Sequence, residues 1–224
     1  MIYVTGDLHG DFSRLQSPKL KKLKKGDFLI VCGDFGFLWD GSREEQQVLN
    51  KLGKLKYTIL FVDGVHENFQ LLDAVEEQDW KGGRVGVVRP NVLHLHRGEF
   101  YELEGKTFFT LGGGDDLLLD VEAGEYNARS MPTMEQLRQA YHKLEERDFT
   151  MDYIITHDCS SKVKQFLDLN AQDGAVHLNY LNSYFEALYE RAKFRHWFFG
   201  AYHMDKRIPP RCSAVYREIL PIGE

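Results

Sequence analysis

The sequence predicts an α/β fold of two packed sheets flanked by helices. Three observations predict it. Short apolar, β-branched runs alternate with helical stretches over the first third of the chain. Residues 85–111 carry four strand-like runs and no helical period. The last third returns to strand–helix alternation. With 224 residues and no internal repeat, low-complexity tract or Pro/Ser-rich linker, the chain reads as one domain over residues 1–224.

Each element has its own signal. Residues 2–5 are a short apolar run, hence a strand. Asp11 can cap a helix reaching toward Lys25, with Phe12, Leu15, Leu20 and Leu23 on its apolar face. Residues 28–32 are continuously apolar, as a strand buried on both faces must be. Ser42 opens a helix carrying Val48, Leu49 and Leu52. Residues 58–62 form a third buried strand, and residues 68–75 look helical. This repetition implies parallel strands with right-handed crossovers. Strands follow at 85–88, 92–96, 99–103 and 107–111, separated by Pro90-Asn91, Gly98 and Gly105-Lys106, which read as hairpin-type connections. Residues 115–132 have no clear period. Residues 133–147 form an amphipathic helix with Met134, Leu137, Ala140, Tyr141 and Leu144 on one face. A strand at 153–156, helices at 160–169 and 182–193, a strand at 196–199 and a closing strand at 214–220 complete the chain.

Composition excludes several classes. Hydrophobic residues make up 43% and charged residues 28%, which is globular rather than disordered or fibrous. The net charge of −6 argues against general nucleic-acid binding. No run approaches the ~20 apolar residues of a membrane helix, so no membrane partner is expected. The N-terminus lacks a basic stretch before an apolar run and does not read as a signal peptide. Three widely spaced cysteines form no disulfide framework or zinc finger. The expected location is cytoplasmic.

The strand ends carry the chemistry. In open α/β sheets, ligands bind beyond the carboxyl ends of the strands. Here five strands exit into Gly6-Asp7-Leu8-His9-Gly10, Gly33-Asp34-Phe35-Gly36, Asp63-Gly64-Val65-His66-Glu67-Asn68, Thr156-His157-Asp158 and Gly200-Ala201-Tyr202-His203. One aspartate after a strand is usually a cap or a turn. Five independent turns sharing aspartate and histidine are not expected by chance. Carboxylate and imidazole together suit manganese, iron or zinc.

In these blocks the chain resembles the calcineurin-like metallophosphoesterase family. That family's pattern is Asp-x-His, Gly-Asp, Gly-Asn-His-Asp/Glu, a lone His, then Gly-His-x-His. The order matches over nearly the whole chain, and the multi-block set is far more specific than any single block. The resemblance implies a four-layer α/β/β/α sandwich of two mixed sheets flanked by helices. It also implies that Asp7, His9, Asp34 and His203 hold a first divalent metal and that Asp34 bridges to a second. His157 would be a ligand of that second metal, and His66 the catalytic histidine. Manganese is the favoured metal, with iron and zinc compatible.

Two departures matter. Val65 stands where the family has its metal-binding asparagine, and Ala201 where it has the first histidine of the last motif. Neither side chain offers a lone pair. The expectation is therefore one tight metal site and a second that is weak or empty. Hydrolysis of a phosphate mono- or diester is the expected activity. A phosphate-ester small molecule or nucleotide is the expected substrate, and nucleic-acid ends share the same phosphoryl group. The alternative is a fold that has lost hydrolysis and binds a phosphate ligand or a protein partner.

Several residues remain outside the motifs. His94 and His96 lie two apart on a strand, hence on one face, and read more simply as a polar sheet face than as substrate contacts. Arg129 lies in the irregular segment, where substrate-shaping loops occur, and is a candidate phosphate contact. Asn68 is a candidate to replace the ligand missing at Val65, although a helix N-terminal role fits it better. Lys19, Lys21, Lys22, Lys24 and Lys25 read as a solvated face.

Overall fold

The computed structural model describes residues 1–115, 129–168 and 177–223. Strands β1 (Ile2–Thr5), β2 (Phe28–Cys32) and β3 (Thr58–Val62) run parallel, side by side. Every residue of β2 is buried. Helix α1 (Arg43–Leu52) is capped by Ser42, whose hydroxyl accepts from Glu45 N. Helix α2 (Phe69–Asp73) is capped by Asn68. Then come β4 (Glu76–Trp80), β5 (Gly83–Arg89), β6 (Val92–Leu95), β7 (Glu99–Leu103) and β8 (Lys106–Leu111). Helix α3 (Met134–Glu146) opens on a Thr133/Gln136 capping box. It is followed by β9 (Tyr153–Thr156), α4 (Ser161–Asp168), α5 (Tyr180–Arg191) and β10 (His196–Phe199). Three short strands, β11 (Lys206–Ile208), β12 (Cys212–Ala214) and β13 (Leu220–Ile222), come last.

The strands form two mixed sheets. One has the order β13-β1-β2-β3-β6-β5-β4 and the other β11-β12-β10-β9-β8-β7. Each has a parallel centre and antiparallel edges. Period-two alternation assigns the layers. Ile2, Val4, Ile30, Leu60 and Val62 meet Phe108, Tyr153, Ile155 and Phe198 between the sheets. Leu29, Val31, Ile59 and Phe61 face the other way, onto Leu49 and Leu52 of α1 and Leu72 of α2. Phe109, Ile154, Trp197 and Phe199 turn outward onto Leu137, Val163 and Phe185 of the three later helices. The result is the expected four-layer α/β/β/α sandwich. Among the described residues, no helix is long and apolar enough to cross a membrane.

Five local expectations are corrected. The first helix is two 3-10 turns, Phe12–Gln16 and Leu20–Lys22, with Asp11 still capping the first through Ser13 N. Pro18 is the cause, because the residue before a proline is pushed out of the helical region, and Ser17 is extended at ψ 140°. Strand β4 was not expected, because Glu76, Glu77, Gln78 and Asp79 show no apolar alternation. It is an exposed edge strand, where charge blocks edge-to-edge pairing. Gly98 does not join a hairpin: the chain leaves the first sheet after β6 and enters the second at β7. The closing segment is likewise divided, with β12 in the second sheet and β13 in the first. Met134, assigned to the apolar face of its helix, is exposed. The unperiodic stretch at 115–132 falls largely outside the described residues, as does residue 169.

The switch at Gly98 can be tested against a control. Gly98 and Gly105 share a φ of +72°, but a Cβ on Gly98 would lie 2.5 Å from Ala140 Cβ, whereas one on Gly105 meets nothing within 4 Å. Gly105→Ala is expected to cost about 1–2 kcal/mol from left-handed strain alone. Gly98→Ala should cost roughly a further 1–3 kcal/mol from overpacking against α3. Urea titration of both variants measures the difference, and equal losses would dismiss the packing argument.

Candidate metal centre

Register brings the exits together. Thr5 pairs with Val31, and Cys32 with Val62, so β1, β2 and β3 end at one edge. Thr156 pairs with Phe199, so β9 and β10 end together as well. The chain then turns sharply. Asp7, His9, Asp34, Ala201 and His203 all have positive φ, between 39° and 64°. Non-glycine residues there cost about 1–3 kcal/mol each, and such strain gathers at functional sites. Gly64 is needed for a different reason: a Cβ on it would lie 2.1 Å from Asp34 Oδ1.

Asp34 sits at the centre and is buried. Its Oδ1 accepts from Val65 N and His66 N, both at 2.8 Å. Its Oδ2 lies 2.9 Å from His66 Nδ1 and 3.7 Å from His9 Nε2. Burial pushes this carboxyl up, but the charges of His157 and His66 and the hydrogen bonds from His66 outweigh it and hold it well below the usual range.

Asp7 and His157 form a second, wholly buried pair. His157 Nδ1 is 3.5 Å from Asp7 Oδ1 and 3.0 Å from Cys32 O, and His157 Nε2 is 3.7 Å from Asp34 Oδ1. Burial pushes the Asp7 carboxyl up to about 7, with His157 opposing and the Asp34 charge adding to the rise. Burial alone would lower His157, but the Asp34 and Asp7 carboxylates raise it to about 9.

Two groups of donors thus share Asp34: His9, Asp34 and His203, and Asp7, Asp34 and His157. His9, Asp34 and His203 come together in the first group, and Asp7 and His157 join Asp34 in the second. The donor set fits a cation. His9 Nε2 and His203 Nε2 face each other at 2.9 Å, a spacing that two nitrogens with ~2.0–2.1 Å metal bonds can span. Asp7 Oδ2 and His157 Nε2 are buried without a hydrogen-bond partner among the described residues, and such orphaned atoms are uncommon unless something else satisfies them.

The other candidates have definite positions. Val65 and Ala201 line the same 340 Å³ cleft as Asp34, His66, His157 and His203. Their side chains offer no donor, but their backbone amides serve the carboxylates, Val65 N bonding Asp34 and Ala201 N bonding Asp7 at 3.1 Å. Asn68 is committed elsewhere, its Oδ1 accepting from Leu71 N and its Nδ2 donating to Trp39 O at 2.6 Å. Arg129 pairs with Asp73 and lines a separate 350 Å³ cavity with Asp63, His94, His96 and Arg97. There His94 and Arg97 bind the buried Asp63, while Lys19 bonds Ile219 O.

Four supporting groups were given no role in the sequence analysis. Glu67 is buried and accepts from Phe35 N at 2.7 Å, which fixes the Asp34 loop. Burial and the Asp34 charge push it up to about 8. Arg14 donates to Asp7 O at 2.6 Å, to Thr5 Oγ1 and to Tyr216 O. Asp158 binds Tyr202 OH at 2.8 Å and so ties the β9 exit to the β10 exit. Lys164 enters the cleft from α4. The motif positions of Glu67 and Asp158 could have marked them. The others meet their partners across long stretches of sequence.

Two sheets with a carboxylate–imidazole cluster at their shared edge define a protein built around a candidate metal centre. The calcineurin-like phosphoesterase model matches residues 1–205, and the chain belongs to that family. No curated protein matches it. Among solved structures it is similar to a candidate 5'-nucleotidase from Staphylococcus aureus, in complex with alpha-ketoglutarate, at 14% identity and a TM-score of 0.50. That likeness covers 96% of this chain and 48% of the other, so the chain spans about half the length of that protein. It is also similar to a phosphopantetheinyl hydrolase from Mycobacterium tuberculosis, at 12% identity and a TM-score of 0.49, covering 96% of this chain and 87% of that one.

The Glu67 contact yields a test. Glu67→Ala leaves the Phe35 N–H buried and unsatisfied and is expected to cost about 1–3 kcal/mol. Glu67→Gln keeps an acceptor in place and should lose much less. Urea denaturation of both reads this out, and similar losses would mean that the carboxyl acts through something other than that bond.

Proposed function

We propose that the chain is a metal-dependent phosphoesterase that hydrolyses a phosphate mono- or diester. The observation that carries this reading is the pair of donor groups meeting on Asp34, with His66 hydrogen-bonded to the same carboxylate. His9, Asp34 and His203, with Asp7 beside them, would hold one divalent metal tightly, manganese being favoured over iron or zinc. Asp34 and His157 are the protein ligands left for a second, which would bind weakly. A divalent metal at such a site neutralises phosphate oxygens and makes water nucleophilic near neutral pH.

The chain's own residues supply the rest. Asp34 orients the His66 ring through Nδ1, and this imidazole would carry a proton to the departing oxygen. Val65 N and His66 N keep Asp34 in place. Arg14 ties the Asp7 loop to the segment at Tyr216. The lone-pair-free side chains of Val65 and Ala201 in the same cleft favour one second reading, a fold that binds a phosphate ligand or a protein partner without hydrolysis.

Metal content per chain, together with hydrolysis of an aryl phosphate monoester and diester with added manganese, tests both readings. The expected wild-type result is about one tightly held metal and measurable hydrolysis. Asp34→Ala should lose both the metal and the activity. His66→Gln should keep the metal and lower kcat by about 10²–10⁴-fold. Val65→Asn with Ala201→His should raise the metal content toward two and increase the rate. An inactive wild type that becomes active on this restoration supports the binding reading instead. Two tight metals in wild type would overturn the depleted second site.

A further inference from the structure

The cleft to which Val65 and Ala201 bring no side-chain donor still contains a cation beside the His157–Asp158 segment. Lys164, in the first half of α4, lines the cleft alongside Asp34, Val65, His66, Ala201 and His203. It is the one lysine or arginine lining this cleft among the described residues. Its side chain is only 14% exposed, and a buried ammonium is costly unless it has a counter-charge.

The partner it has is incomplete. Lys164 Nζ lies 3.6 Å from Asp158 Oδ2, which is too long for a hydrogen bond. Asp158 does not depend on it. Its Oδ1 accepts from Cys159 N and Tyr202 OH, and its Oδ2 from Asn182 Nδ2, each at 2.8 Å. The carboxylate therefore holds the cation in the cleft wall electrostatically. The three ammonium donors have no hydrogen-bond partner among the described residues.

We propose that Lys164 binds a phosphate oxygen of the substrate on the second-metal side of the cleft, and that it selects phosphate monoesters over diesters. This rests on the phosphoesterase reading. The ammonium supplies locally the positive charge that asparagine and histidine at positions 65 and 201 would otherwise recruit as a metal. A monoester phosphoryl group near neutral pH is a dianion with three non-bridging oxygens, enough to serve a metal at the His9–Asp34–His203 side and a lysine opposite. A diester is a monoanion with two such oxygens and gains less from the second cation. Lysine suits the task because it is a compact charge with rotatable donors on a flexible stem.

The test measures inorganic phosphate binding by calorimetry, with and without manganese, alongside KM and kcat for an aryl monoester and diester. The variants are Lys164→Gln and Lys164→Arg. The proposal expects Lys164→Gln to weaken phosphate binding by about 10–100-fold in both metal states. It also expects a raised monoester KM, little change for the diester, and unchanged metal content. Lys164→Arg should recover much of the affinity. Wild-type phosphate affinity and monoester KM in Lys164→Gln, in a chain whose wild type hydrolyses both esters, would overturn the role of Lys164 and leave the phosphoesterase reading intact. Equal losses on both esters with a lowered melting temperature would also overturn it, in favour of a structural role beside Asp158. A manganese-loaded wild type that hydrolyses neither ester and binds no phosphate removes the phosphoesterase reading and this proposal together.

Discussion

The Asp34 carboxylate is the constraint on which the site depends. It is buried at the end of a strand buried at every position, in a left-handed backbone conformation. A bare carboxylate there would be strongly disfavoured. Two backbone amides, one imidazole hydrogen bond and the nearby His157 and His9 rings offset that cost. These partners come from three parts of the chain, at residues 9, 65–66 and 157, so holding Asp34 ionised also fixes the exits of β1, β3 and β9 around it.

Val65 and Ala201 contribute to this arrangement through their backbone alone. Both positions keep a backbone amide on a buried carboxylate. Their side chains supply no donor to the cleft they line. The loops do not depend on those side chains, because they are held by Glu67, Arg14 and the Asp158–Tyr202 bond. Metal occupancy and scaffold integrity are separable in this arrangement.

Much of this was legible in the sequence, for a physical reason. A strand buried on both faces is a continuous apolar run, and its end is abrupt, so Asp34 after residues 28–32 stands out. Caps are equally local, as at Ser42, Asn68 and Thr133. What could not be read depends on distant partners. Edge strand β4 has no apolar face, and its identity comes from pairing with β5. Gly98 looks like any hairpin glycine until α3 packs on it. The buried contact of His157 with Asp7 links residues 150 positions apart and is not encoded in either motif. Arg14 and Tyr216 are far apart in the chain, and Lys164 has no motif around it.

The pairing of β1 with β13 sets a limit on how the chain can be made. Ile2 aligns with Ile222, so β1 lacks one neighbour until the chain has been synthesised through β13. At ~5–20 residues per second that wait is on the order of tens of seconds. Throughout it, β1 presents an open edge, a template for pairing with other chains. The parallel neighbour β2 arrives early and covers the opposite side, but the sheet closes only when its last strand docks. Nascent chains stalled before β13 would share a common exposed edge, and crowding them on one message would favour their association with one another.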